Sequence, residues 1–468
     1  MKSRLLVCAL CAFVALSCAT VVGEPLPGWT LYSNMFTSTA KLVDLDGQTV
    51  HTWESDYNPG LSFFLLEDGS LLRAARDDSL PGPTGGGIGG RIQILDWDSS
   101  LVWDYAVAGP DFRQHHDVLM LPSGNILTII WERHTAADAI AMGRDPSNVG
   151  AFVNSETILE IKPTGPTTGD VVWQWRAWDH LVQNHDPMLP NFANPADHPE
   201  RIDINYTPRG GSDADWLHFN AINYNEELDQ LIMSANAFDE FFIISRADDS
   251  TGDLIYRWGN PAAYSMGTID DQTLFNQHYP HWIEDGLPGA GNILIYNNGV
   301  GRPEGNYSSA DEIVLPPMNK DGSYFRESGE TYGPEAAIWT CDHVDGKQFF
   351  SPIISSAQRL SNGNTFICVG QPGEMFEVNE DCEVQWTHFD GAMQFRAARI
   401  DERDVRLRNL LWCAPDLAEP YNVLNFFDVS AFLTAFGMQD PLADFTGEGD
   451  FDFFDVSAFL AAFGAGCP

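Results

Sequence analysis

Three histidines stand at matching places in three copies of one phrase. In HHDVLMLPSGN, His116 lies five residues before the leucine that opens a Pro-Ser-Gly-Asn turn. In LHFNAINYNEELDQ and QHYPHWIEDGLPGAGN, His218 and His278 begin the corresponding runs. A neutral imidazole nitrogen is a nucleophile, and its protonated form is an acid. Three of them brought to one point can therefore form a covalent intermediate and carry the proton that goes with it. A structural hydrogen-bond ring is the bland alternative. His115, one residue earlier, is expected on the other face of its strand because side chains alternate.

The elements that must position these residues are strands. The phrases FFLLEDGSLLRAA, VLMLPSGNILTII, INYNEELDQLIMSA, HWIEDGLPGAGNILIYN and AQRLSNGNTFICV each read as strand, turn built on Gly, Asn or Asp, and second strand. A second phrase alternates with them, an apolar β-rich stretch that ends at Trp53, Trp103, Trp173, Trp258, Trp339 or Trp386. Two phrases per unit make roughly four strands, the blade of a β-propeller. The spacing predicts an all-β, six-bladed propeller over about residues 28–408. Equivalent positions on innermost strands converge at the central channel of such a fold, so His116, His218 and His278 are expected to meet there. The Pro-, Asn- and Asp-rich excursions 135–153 and 180–216 read as loops on one face.

Bulk properties exclude several functions. The formal charge of -41 over 468 residues repels nucleic acid and anionic membrane. With 14 Trp and 29 Phe, the chain has ample material for a core. The start, MKSRLLVCALCAFVALSCATVVGEP, carries Lys2 and Arg4, then an apolar run from Leu5 to Leu16 and small residues. This pattern predicts an export signal over residues 1–23, cut after Ala19 or Gly23, with lipid attachment at Cys18 a weaker reading. No other segment approaches a membrane span, and the expected location is secreted, periplasmic or cell-surface. Five cysteines follow the signal; Cys413 and Cys467 bracket the tail and are expected to pair, while Cys341, Cys368 and Cys382 stay unassigned.

The tail, residues 413–468, contains FFDVSAFL twice. Each copy begins an amphipathic helix with Val429, Phe432, Leu433 and Phe436, or Val456, Phe459, Leu460 and Phe463, on its apolar side. Before the second copy, DFTGEGDFDFFD places Asp444, Thr446, Glu448, the Asp450 carbonyl, Asp452 and Asp455 at the alternating spacing of a calcium loop, with Gly449 at its sharp turn. The first copy has Ala418 at a ligand position, Pro420 in the loop and one extra residue between Asp416 and Asp428, so a weak or empty site is expected there. The tail resembles the type I dockerin module that ends in Gly-Cys-Pro in secreted bacterial proteins. That resemblance implies an EF-hand-like fold, bound calcium, and attachment to a cohesin-like scaffold or cell surface.

DWLHFNAINYNEELDQLIMSAN, QHYPHWIEDGLPGAGNILIYNNG, SSAQRLSNGNTFICVGQPGEMFEVNEDCEVQW and GWTLYSNMFTSTAKLVDLDGQTVHTW resemble the bacterial arylsulfotransferase family, from Gly28 to Arg399. The resemblance implies a six-bladed propeller that moves a sulfuryl group from an aryl sulfate to a phenol without a nucleotide sulfate donor. It implies His278, in Gln277-His278, as the nucleophile, with His116 and His218 as its channel partners. Asn220 can then donate to a sulfonyl oxygen. The sequence departs from the family at two places. Ser234-Ala235-Asn236 stands where the family usually has Ser-Ser-Arg. Where the family often shows Tyr-Ser-Arg, Asn297-Asn298-Gly299 leads to Tyr307-Ser308-Ser309. A substitute cation is sought in Arg302, Arg133 or Arg113. Two other functions compete, a non-catalytic propeller displayed by the tail and a polysaccharide hydrolase or lyase.

Overall fold

The computed structural model describes residues 24–208, 212–247, 252–402, 404–407, 410, 414–418 and 424–466. The expected signal over 1–23 and the Cys413–Cys467 pairing lie outside these residues. Six antiparallel sheets are arranged as blades, and their first strands touch around a common axis. Blade 1 joins both ends of the propeller: Gln394–Asp401 lies innermost, beside Gly28–Asn34, Thr39–Val43 and Thr49–Glu54. The inner strands of blades 2 to 6 are Pro59–Leu65, Phe112–Met120, Phe219–Asn225, His278–Trp282 and Ser356–Arg359. Each hairpin phrase became the two inner strands of a blade.

All six repeated tryptophans fall on outermost strands. Burial alone does not explain the repeat. The indole N–H of Trp103 donates to Thr168 O, Trp258 to Pro334 O, Trp339 to Glu380 O and Trp386 to Leu45 O, each carbonyl belonging to the outer part of the next blade. In blade 3 this bond is made by Trp175, to Gly252 O at 3.0 Å, and not by Trp173. The Trp173 ring instead lies under the Arg246 guanidinium. The expected phase was thus two residues early in that blade, because the outer strand Thr168–Arg176 runs on past Trp173. A disulfide between Cys341 and Cys382 ties blades 5 and 6 near the Trp339 bond, and Cys368 is a buried free thiol.

The two long excursions lie together. Arg144 bonds to Ile204 O and pairs with Asp213 at 2.6 Å, and Asn205 Nδ2 donates to Gly143 O. They are not wholly irregular: the first holds a short helix, Ala136–Ala141, and the second a parallel pair, Leu181–Val182 with Ile202–Asp203.

The tail forms helices Phe426–Met438 and Phe453–Ala465, each started by a reciprocal cap, Asn425 with Asp428 and Asp452 with Asp455. Phe432 and Phe459 stack at 4.0 Å in their shared core. Leu433 and Leu460, expected on the apolar stripe, are 58% and 55% exposed. The contact stripe is narrow: among the described residues the two helices pack on each other and on Leu417, Ala443, Phe445 and Phe451, and the flanking leucines stay outside. Among the described residues no helix is long and apolar enough to cross a membrane.

Candidate active site

Most of the inner strands enter the channel through an irregularity. The pairing with the next strand shifts between Pro59 and Phe63, at His115, between Phe219 and Ile222, and between His278 and His281. Leu61, His116, His218, Tyr279 and Ile354 all have φ between 53° and 101°. A left-handed residue in a bulge re-aims the strand's first side chains, which would otherwise alternate between the two sides of a flat sheet. It also undoes the expectation for His115. That residue stays beside its neighbour, with Nδ1 2.7 Å from His116 Nδ1 and its ring stacked on Trp131 at 4.1 Å.

The three expected histidines come together. His116 and His218 meet edge to face at 4.7 Å, and Phe395 lies 6.1 Å from His116 and 6.2 Å from His278. His278 Nδ1 is 2.7 Å from Asn298 Oδ1 and 3.2 Å from Asn276 O. Both Asn298 N–H groups go to the carbonyls of Ser351 and Ile354, so its oxygen is the acceptor and Nδ1 of His278 carries the proton. Nε2 consequently keeps its lone pair, which accepts the Ile354 N–H at 3.1 Å. Burial pushes the His278 pKa down to about 3, so the ring is neutral near pH 7. His116 lies well below its ordinary value, first from burial and then from the neighbouring imidazoles and Arg396.

His218 is held differently. Its Nδ1 is 2.5 Å from Asp215 Oδ2, and Trp131 Nε1 donates to the other oxygen of that carboxylate. Burial works to raise the Asp215 pKa, but His218 and these hydrogen bonds bring it below the usual carboxylate value. The buried Glu156 accepts the backbone N–H of His218 and so fixes the left-handed turn.

Asn220 has another task in this structure. Its Nδ2 donates to Gln277 O, as do Asn236 Nδ2 and Ser234 Oγ. The Ser234-Ala235-Asn236 segment thereby grips the backbone just before His278. Arg113, Arg133 and Arg302 are also engaged elsewhere. Arg113 donates to Asp77 O, Arg133 to Asn154 Oδ1 and Arg302 to Ser309 Oγ. The channel guanidinium is Arg396, on the closing strand. It pairs with Asp117 at 3.0 Å and lies 3.7 Å over the Tyr279 ring. Asp117, Tyr279 and Arg396 directly follow His116, His278 and Phe395, and the Arg396 guanidinium is close enough to help hold the pKa of both His116 and His278 down.

A glycine-rich strap, residues 82–90, crosses the histidines from blade 2. His116 N–H donates to Gly87 O, and Gly86 lies 3.5 Å from the His218 ring, measured from where a Cβ would be. At Gly87, φ is +79° and a Cβ would fall 2.2 Å from His116 Cε1. Gly87→Ala is expected to push the His116 ring out of place and lower turnover at least tenfold, a loss that steady-state kinetics on the folded variant would measure. Unchanged kinetics would mean that the strap yields freely.

In the tail, Asp444 accepts the N–H groups of Gly447 and Gly449, while Asp455 accepts those of Thr446 and Asp452. The loop is thus wound inward on its two end carboxylates, and Gly449 takes the turn at φ +81°. Among the described residues, no three His, Cys, Asp or Glu side chains gather closely enough to hold a metal ion. Asp428 fills the same role in the first copy, accepting the N–H groups of Leu417, Ala418 and Asn425.

Fold and site together define a propeller with an imidazole cluster at its channel. Residues 34–402 match the sequence profile of the Arylsulfotransferase (ASST) family, and the chain belongs to that family. Its membership supports a sulfotransferase-type enzyme that transfers sulfuryl groups. No curated protein matches the chain. Among solved structures it is similar to a protein of unknown function from Bacteroides caccae, at 14% identity and a TM-score of 0.43, over 80% of this chain and 99% of that one. A protein from Desulfotomaculum acetoxidans matches at 7% identity and 0.40, over 80% and 98%. Virginiamycin B lyase from Staphylococcus aureus matches at 10% and 0.34, over 78% and 82%. Likenesses this distant say nothing about activity.

Proposed function

We propose that this protein is an exported aryl-sulfate sulfotransferase acting through a sulfohistidine on His278. The observation that carries the reading is the state of that ring: neutral, proton on Nδ1, lone pair on Nε2. Nε2 attacks sulfur, and the S–N bond forms as the bond from sulfur to the aryl oxygen breaks. The electron pair leaves on that oxygen, which takes a proton from Nε2 of His218, the ring whose Nδ1 is held by Asp215. In the second step the acceptor phenol returns a proton to His218 while its oxygen attacks sulfur and breaks the S–N bond. Once Nε2 bonds to sulfur it no longer accepts the Ile354 N–H, and that donor is left beside the sulfuryl oxygens. Arg396 supplies positive charge to the same region.

The test is transfer from 4-nitrophenyl sulfate to phenol by the purified protein. Acceptor-dependent release of 4-nitrophenol is expected; its absence across a panel of aryl sulfates overturns the reading. No nucleotide sulfate is needed.

The tail is proposed as a calcium-binding dockerin-like tether to a cohesin-like scaffold or cell surface. Its donors, Asp444, Thr446, Glu448, the Asp450 carbonyl, Asp452 and Asp455, are all oxygen, which fits calcium. Scanning calorimetry is expected to show one transition that moves up with calcium and down with chelator, and a propeller transition that ignores both. If neither transition responds, the tail does not bind calcium. Export is supported by the Cys341–Cys382 disulfide, which suits an oxidising compartment.

A further inference from the structure

The inner strands run on past the histidines. Leu119 and His281 come three residues after His116 and His278, and Asn223 comes five after His218. Phe64 and Ala398 likewise follow Leu61 and Phe395 by three. At a strand rise of about 3.3 Å per residue, these positions stand roughly 10 Å further along the channel, toward its other end. There they line a cavity of about 340 Å³ that neither His116, His218 nor His278 borders.

The lining carries polar groups with nothing to bond. His281 is 8% exposed, and its Nδ1 lies 3.1 Å from Tyr279 O, a carbonyl that can only accept. The proton is therefore on Nδ1, and Nε2 keeps a lone pair that no described residue uses. Burial holds the His281 pKa down to about 4, so the ring is neutral near pH 7. The Tyr279 hydroxyl and the Asn223 side-chain amide, both on the lining, are likewise without a hydrogen-bond partner among the described residues. One acceptor and two groups able to donate thus border one space. An imidazole more than nine-tenths buried in that condition needs a reason, because buried polar groups are normally satisfied.

Charge disfavours an ion as the occupant. The guanidiniums on the lining are already matched: Arg359 pairs with Glu312, Arg406 with Asp404 and Arg396 with Asp117, while Arg399 lies 3.7 Å from Glu377. A charged ligand would be desolvated there without a free counterion. The rest of the wall includes Phe64, Leu119 and Leu287, an apolar surface beside a few convergent polar groups.

We propose that this end of the channel is a second binding site, separate from the reaction centre, for a small neutral ring compound bearing a hydroxyl group. The hydroxyl donates to Nε2 of His281, its oxygen accepts from Tyr279 or Asn223, and the ring lies against Phe64, Leu119 and Leu287. The assignment does not rest on the sulfuryl-transfer reading.

The test soaks crystals of the full chain with 4-bromophenol, without any sulfate donor, and measures the same binding in solution by calorimetry. An anomalous bromine peak is expected in the cavity beside Tyr279 and His281. His281→Phe keeps a ring and removes the lone pair; Asn223→Leu removes a donor from the facing strand. Each is expected to abolish that peak and to weaken binding at least tenfold. Bromobenzene, which has the ring without the hydroxyl, should bind the parent at least tenfold more weakly than 4-bromophenol. Bromine density beside the three channel histidines only, or none at all, overturns the second site. So does an affinity that both variants leave intact while melting as the parent does, and equal binding of bromobenzene overturns the part given to the hydroxyl. Failure of the parent to transfer sulfuryl groups would sink the activity and leave this test standing.

Discussion

His278→Ala is expected to abolish sulfuryl transfer, lowering kcat at least a thousandfold, because the lone pair that would attack sulfur is gone and no neighbour can replace it. Removing a nucleophile typically leaves only the binding and charge-stabilising part of the rate enhancement. Folding should survive. The change leaves Asn298 Oδ1 and the Ile354 N–H without their partner, at a cost of about 1–3 kcal/mol for a buried group, and a melting temperature lower by a few degrees is expected. Mixing the parent enzyme with donor alone should add one SO3 group to the Gln277-His278 peptide, detectable by mass spectrometry, and the variant should add none. Since burial holds His278 near 3, it stays neutral through mild acid. Any loss of rate between pH 7 and 5 must then come from another group. Turnover that persists in His278→Ala would remove it as nucleophile.

The second large effect concerns the Asp117–Arg396 ion pair. Arg396→Met is expected to destabilise the propeller by about 3–5 kcal/mol, the usual cost of stranding a buried charge. Asp117 would keep the N–H groups of Val118 and Ile222 but lose its counterion. Asp117→Asn alone should also destabilise, by leaving the guanidinium uncompensated over Tyr279. Combining the two should recover most of the loss, since neither charge then remains. Denaturant unfolding of the four proteins gives the coupling directly, and simple additivity would show that the pair is not a unit. Activity should behave otherwise. The double variant, though stable again, lacks the cation near the sulfuryl group and is expected to lose at least tenfold in kcat/KM. Full activity in that variant would assign Arg396 to structure alone.

The propeller was legible because its repeat is written twice per blade, once in the hairpin turns and once in the tryptophans. In five blades the tryptophan repeats for a bonding reason, the indole N–H reaching the next blade, whereas Trp53 Nε1 is buried without a partner. Trp175 acts where Trp173 was expected because that bond depends on position along the strand and not on residue type. The histidine register was legible as well, since the three lie at nearly the same place near the start of corresponding inner strands, although the left-handed residue is His116 and His218 in two blades and Tyr279, one after His278, in the third. The bulges were not, and they decide which side chains meet. Nothing in HHDVLM marks His116 as left-handed, so simple alternation sent His115 to the wrong side. Asn298 and Arg396 were missed for different reasons. Asn298 sits in a turn-like Asn-Asn-Gly run that reads as connection, yet it sets the proton on His278. Arg396 stands in QFRAARID, an alternating strand with no turn phrase, and loop arginines drew the search for a cation. Its partner Asp117 is remote in sequence, and only closure of the ring brings them together. The tail helices followed from FFDVSAFL, but the width of their apolar stripe depended on what they pack against.

Blade 1 is made from both ends of the propeller, and its innermost strand is the last to be synthesised. That strand carries Phe395 and Arg396. A chain truncated or still emerging before residue 394 already has its three histidines, yet it lacks both the aromatic residue between them and the charge near them. Strand Gly28–Asn34 meanwhile waits with one edge open. Completion of the site and completion of the ring are therefore a single event, a checkpoint written into connectivity. No copy that lacks this strand carries the assembled histidine site, and in every copy that has it the two ends of the propeller are locked together.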